Sequence, residues 1–181
     1  MQAVPRSQMA IFLANAIARG GTNVPAAGSW NGGPYNCAPG GASRFSDVLP
    51  TDAFCKHVHF LAVQNVTLGC GPTLFCPNGT VSRLEMAAFV AKGMRAPSGG
   101  TGVPSAYGPD PATGRSYDCG AAPSTHFTDV PAGDPFCKHV HYLWARGVVS
   151  GCAPTQYCPA SSVLRGEMAK FLANGFALKL Y

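Results

Sequence analysis

The chain has 181 residues, with 13 lysines and arginines against 8 aspartates and glutamates and a formal net charge of +5. Only 12% of residues are charged, about half the usual share, which excludes a plain helical bundle with charged outer faces. A hydrophobic content of 46% excludes wholesale disorder, and the basic residues are scattered rather than gathered into a stripe, which argues against nucleic-acid binding.

The chain opens with a segment, 1–18, that mimics a signal peptide: Met1 and Arg6, then an apolar run from Met9 to Ala18. The pattern Val-Pro-Arg-Ser-Gln-Met at 4–9 recurs, however, as Val-Ser-Arg-Leu-Glu-Met at 81–86 and Val-Leu-Arg-Gly-Glu-Met at 163–168. A segment that recurs is a structural element rather than an address that is cut off. No stretch approaches the ~20 apolar residues that span a bilayer, so membrane insertion is not expected.

The organising fact is a repeat. Residues 45–94 align without gaps on 127–176, and 26 of the 50 positions are identical. The chain therefore divides into half a unit (1–18), a Gly/Pro-rich connector (19–44), a full unit (45–94), a second connector (95–126) and a second full unit (127–181). Each full unit predicts helix, loop, helix. The first helices, over 54–65 and 136–147, open near Asp52 and Asp134 and close on Asn65 and Gly147, which tolerate a left-handed backbone. The second helices open at a capping-box pattern, Ser82 to Glu85, and carry the apolar face Met86, Phe89, Val90 and Gly93, with Met168, Phe171, Leu172 and Gly175 matching.

Eight cysteines stand at 37, 55, 70 and 76 and again at 119, 137, 152 and 158, with the same spacing in both units. Local pairs follow: Cys37–Cys55, Cys70–Cys76, Cys119–Cys137 and Cys152–Cys158. Closing each longer loop contributes about 3 kcal/mol in the chain-entropy model. The rival, a four-cysteine zinc site per unit, lacks any C-x-x-C. An even, regular set of cysteines indicates an oxidising compartment and so an exported protein, and an exported protein with no signal peptide at residue 1 is expected to be a fragment of a longer one. His57/His59 and His139/His141 invite a metal, but side chains two apart on a helix diverge by roughly 200° and cannot chelate one ion. No metal or cofactor is expected. Asn65-Val66-Thr67 and Asn78-Gly79-Thr80 fit the glycosylation sequon, a triplet that arises often by chance. Six of the eight carboxylates form repeat-equivalent pairs with caps and turns as their work, so no enzyme is expected.

These residues resemble the S-layer homology repeat, whose unit runs F-x-D-V, an aromatic-led helix, a G…F-x-P loop and a T-R-A-E-like turn opening a second helix. Here the stretches are Phe45-Ser-Asp47-Val48, the helix from Phe54, Gly69…Phe75-Cys-Pro77 and Ser82-Arg83-Leu84-Glu85. The second unit gives Phe127-Thr-Asp129-Val130, the helix from Phe136, Gly151…Tyr157-Cys-Pro159 and Leu164-Arg165-Gly166-Glu167. The resemblance implies a mostly α, pseudo-threefold module with its first helices packed centrally. It also implies grooves that hold anionic cell-envelope polysaccharide through Arg6, Arg83 and Arg165, with Asp47, Asp129, Glu85 and Glu167 beside them. The sequence departs from the family where Pro5, Ser82 and Leu164 precede those arginines and where Phe54 and Phe136 replace a tryptophan.

Two functions from different classes follow. The first is an extracellular, cell-surface module that attaches a larger protein to the envelope through anionic glycan. The second is a self-assembling subunit of a filament or surface layer, with copies of the chain as partners. Three second helices but only two first helices predict an apolar surface left bare beside the first helices and covered by a neighbouring copy.

Overall fold

The computed structural model describes residues 2–96 and 102–178; part of the second connector and the end of the last unit lie outside the described residues. Among them are five α-helices: α1 (Arg6–Ala18), α2 (Cys55–Val63), α3 (Arg83–Arg95), α4 (Cys137–Ala145) and α5 (Arg165–Phe176). Two antiparallel hairpins lie in the connectors, β1 (Ala27–Trp30) with β2 (Gly33–Asn36), and β3 (Ala106–Tyr107) with β4 (Tyr117–Asp118). The fold is thus mixed rather than mostly α. The connectors are built elements, since Asn31 and Gly32 both take positive φ and make the two-residue turn that joins β1 to β2.

The helix ends follow local chemistry. Ser82 Oγ accepts from the Glu85 N–H at 3.2 Å while Glu85 Oε2 accepts from the Ser82 N–H at 2.9 Å, closing the capping box. Asn65 (φ 55°) and Gly147 (φ 70°) close α2 and α4 in the left-handed region. Asp134 takes the Phe136 N–H at 2.7 Å, one residue short of α4, and Asp52 turns back to the Leu49 N–H, so neither of the two expected caps bonds to its helix through its side chain.

The centre belongs to the second helices, not the first. Helices α1, α3 and α5 pack on one another, while α2 lies on α1 and α4 on α3. Glycines permit the close central crossing: a Cβ on Gly93 would sit 3.0 Å from Ile17 and 3.1 Å from Phe176, and one on Gly175 would sit 3.0 Å from Val90. Just before these helices the chain closes a ring of backbone hydrogen bonds. Val81 N–H donates to Val4 O (2.9 Å), Val163 N–H to Val81 O (2.8 Å) and Val4 N–H to Val163 O (2.9 Å).

All four disulfides join the local pairs read from the spacing. Cys37–Cys55 and Cys119–Cys137 pin each hairpin to the start of a first helix. Tyr35 of β2 then stacks on His59 at 4.5 Å between ring centres, and Trp30 of β1 stacks on Phe45 at 5.0 Å.

Candidate functional site

The F-x-D-V aspartates organise the disulfide loops. Asp47 accepts from the N–H groups of Phe75 (2.8 Å) and Cys76 (2.7 Å), and Asp129 from those of Tyr157 and Cys158 (both 2.8 Å). That pose aims the Phe75 and Tyr157 carbonyls at the preceding unit's arginine. Arg6 Nε donates to Phe75 O (2.8 Å) and its Nη1 pairs with Glu85 Oε1 (3.3 Å). Arg83 repeats the arrangement one unit on, with Tyr157 O at 2.9 Å and Glu167 Oε1 at 3.0 Å. Both guanidinium groups lie over the same aromatic rings. Arg6 is 5% and Arg83 9% exposed. Burial pulls the Arg6 pKa downward, and Glu85 and Asp47 oppose the shift. The first backbone N–H groups of α1 and α3 are also occupied, by the carbonyls of Gly79 and Pro77 and of Ser161 and Pro159. Arg165 differs: it is exposed, and its Nη1 donates to Gln8 Oε1 at 2.7 Å.

Between α3, α5 and the irregular run 147–152 lies an open groove of about 680 Å³. Arg83 and Glu167 form one wall, with Arg83 Nη2 donating to Ser150 O at 3.3 Å. Two further cations line it, Lys170 from α5 and Arg115 from the second connector. Arg115 is held in place: its Nη1 donates to Trp144 O at 2.9 Å and its guanidinium lies 5.0 Å from the centre of the Trp144 ring. A second hollow of about 320 Å³ continues from the same residues, Arg115 and 149–152, towards His126 and Trp144. Neither Arg115 nor Lys170 was singled out by the repeat, because Lys170 aligns with Ala88 and Arg115 lies in a connector.

The histidines serve the interior. His59 Nδ1–H donates to Cys55 O (2.9 Å) and its Nε2 accepts from the Arg44 N–H (3.0 Å); His141 does the same with Cys137 O (3.0 Å) and the Phe127 N–H (3.1 Å). These bonds fix one neutral tautomer, and burial lowers both pKa values. Each ring also sits against a cysteine pair, Cys37/Cys55 or Cys119/Cys137, in a metal-like cluster, but the sulfurs are joined to each other. His139 is pushed down to about 4 by burial, then by Lys92 and Lys138.

The Phe127–Val130 turn, α4, the Cys152–Cys158 loop and the start of α5 thus form one continuous motif around Arg83. Residues 126–169 match the S-layer homology domain. No curated protein matches the chain. The S-layer homology match points to attachment at the cell envelope, and among the described residues no helix is long and apolar enough to cross a membrane.

Proposed function

We propose that the chain is a non-enzymatic, extracellular module that attaches a larger protein to the cell envelope by holding anionic polysaccharide. In this reading it is built as half of one S-layer homology unit followed by two full ones in a pseudo-threefold arrangement. The observation that carries the reading is the groove beside Arg83, where Arg115 and Lys170 stand exposed on a wall whose other charges, Arg83 and Glu167, satisfy each other. A guanidinium fixed by its own hydrogen bond offers a carboxylate or phosphate two parallel donors at little ordering cost. Arg83 then shapes the wall, while Arg115 and Lys170 meet the charge. Asp47, Asp129, Glu85 and Glu167 act through the loops and caps they hold.

Pull-down by purified anionic envelope polysaccharide tests the assignment. Arg115→Ala and Lys170→Ala are each expected to weaken binding about tenfold at low salt, the scale of one charge-assisted contact. Full binding by the double variant would retire the groove.

A further inference from the structure

The four disulfides do not share one setting. Cys55 is buried at the first position of α2, and Cys137 is buried at the first position of α4. Their partners, Cys37 and Cys119, are only half-buried. His59 Nδ1, whose N–H donates to Cys55 O, lies 3.7 Å from Cys55 Sγ and 3.9 Å from Cys37 Sγ. His141 Nδ1 lies 3.5 Å from Cys137 Sγ. In both rings Nε2 accepts a backbone N–H, so the ring proton stays on the sulfur side. An open hollow of about 320 Å³ has Cys37 in its wall, beside Pro39, Pro50, Asp52 and Lys56. The Asp52 carboxylate there is engaged by the Leu49 N–H, and Lys56 Nζ donates to Gly21 O at 3.0 Å. The short bonds, Cys70–Cys76 and Cys152–Cys158, close loops that contain no histidine. The N–H groups of Cys76 and Cys158 donate instead to the carboxylates of Asp47 and Asp129, at 2.7 and 2.8 Å.

We infer that Cys37–Cys55 is a thiol-exchange site, at which a thiol of low molecular weight becomes bonded to Cys37 and Cys55 is released. The incoming thiolate enters the hollow, where the Lys56 ammonium favours its charge, and attacks Cys37 Sγ. A new S–S bond forms to Cys37 as the bond to Cys55 breaks, and the electron pair of that bond goes to Cys55 Sγ. One disulfide replaces another, so no oxidant or reductant is needed. Cys55 leaves as a thiolate on which the His59 N–H and the positive end of α2 converge. A thiolate held in this way is a weak base and departs readily. Cys76 would leave beside the Asp47 carboxylate, which opposes a second negative charge. The product is a mixed disulfide on the first connector, and the β1–β2 hairpin is no longer tied to α2. The hollow shares no residue with the glycan groove, so the inference stands independently of glycan binding.

Reduced glutathione is the probe, added at about pH 7 to the oxidised full chain. After acid quenching and alkylation, peptide mapping is expected to find glutathione first on Cys37, with Cys55 as the new free thiol. This step should run at least about tenfold faster than the opening of Cys70–Cys76, because the better leaving group departs faster. His59→Gln should slow it about tenfold and bring it close to the short bonds. Because His59 is buried, a second measurement leaves that position unchanged. In Cys37→Ser the lone Cys55 thiol is expected to titrate at or below about pH 7.5 by thiolate absorbance, against about 8.5 for an ordinary thiol. In Cys70→Ser the lone Cys76 thiol should titrate no lower than an ordinary one. Glutathione on Cys55 rather than Cys37, faster opening of Cys70–Cys76, or a Cys55 thiol that titrates like an ordinary one overturns the inference.

Discussion

Helices α3 and α5 read almost alike, Arg-Leu-Glu-Met-Ala-Ala-Phe-Val-Ala-Lys-Gly against Arg-Gly-Glu-Met-Ala-Lys-Phe-Leu-Ala-Asn-Gly, yet α3 is enclosed on nearly every side and α5 buries only Met168, Phe171 and Leu172. The difference is made entirely by neighbours. Helix α3 has α4 on its flank and the Tyr157 loop on its arginine; among the described residues α5 has no such helix or loop packed on it to the same extent. The same residue types therefore carry different energies. An alanine that is an interior packing contact in one helix is a surface residue in the other, and an arginine that ties two units together in one is a solvated cation in the other.

The sharpest break in the comparison is a pair of identical substitutions. Ala87→Lys forces an ammonium into the α3–α4 contact and is expected to cost about 4 kcal/mol or more. Ala169→Lys at the matching position should change stability by less than about 0.5 kcal/mol. Urea denaturation of both variants checks the contrast, and equal effects would mean that α5 is covered.

The α3–α4 contact should also be the more acid-sensitive of the two flanks. His139 has a folded pKa of about 4, below its ordinary 6.5. The unfolded chain therefore binds the proton first as pH falls, and the stability this neutral histidine retains above pH 6.5 is lost towards pH 4. The loss amounts to at most about 3 kcal/mol from this residue. Burial lowers His57, His59 and His141 in the same direction. Thermal melts between pH 7 and 4 should show a falling midpoint, with a shallower fall in His139→Gln.

The smallest effect separates the arginines. Arg83→Ala removes bonds to Tyr157, Ser150 and Glu167 and is expected to cost about 2 kcal/mol, while Arg165→Ala should cost less than about 0.5 kcal/mol. Denaturant midpoints decide, and an Arg165 variant as unstable as the Arg83 one would contradict the exposed place of Arg165.

Much of this architecture is legible in the sequence because it is local. Helical periodicity, the Ser82–Glu85 box, the left-handed Asn65 and Gly147 and the duplicated cysteine spacing each depend on residues a few positions apart. The β1–β2 hairpin was signalled too, by Asn31-Gly32, but Pro34 and the surrounding glycines gave the segment the look of an irregular connector. The fates of Arg6, Arg83 and Arg165 were not legible. One motif writes all three, and what separates them is the loop of another unit arriving from far along the chain. Likewise the second helices became central because Gly93 and Gly175 meet side chains of other helices, a fact that no single unit contains. Arg115 and Lys170 carry no signal in the repeat, because Lys170 stands where the other full unit has Ala88 and Arg115 lies in a connector.

The ring of hydrogen bonds through Val4, Val81 and Val163 has a consequence for how the chain folds. In a solenoid each repeat leans only on its neighbour in sequence, and order can spread from one repeat to the next. Here the bond from Val4 to Val163 joins opposite ends of the described chain, and none of the three segments of the ring has its partners until all have arrived. Loop-closure entropy must be met across both connectors before the central glycines come into contact. Folding is therefore expected to be slower than the helical content alone would set, with the units gaining their order together, which stopped-flow refolding would check as a single slow phase.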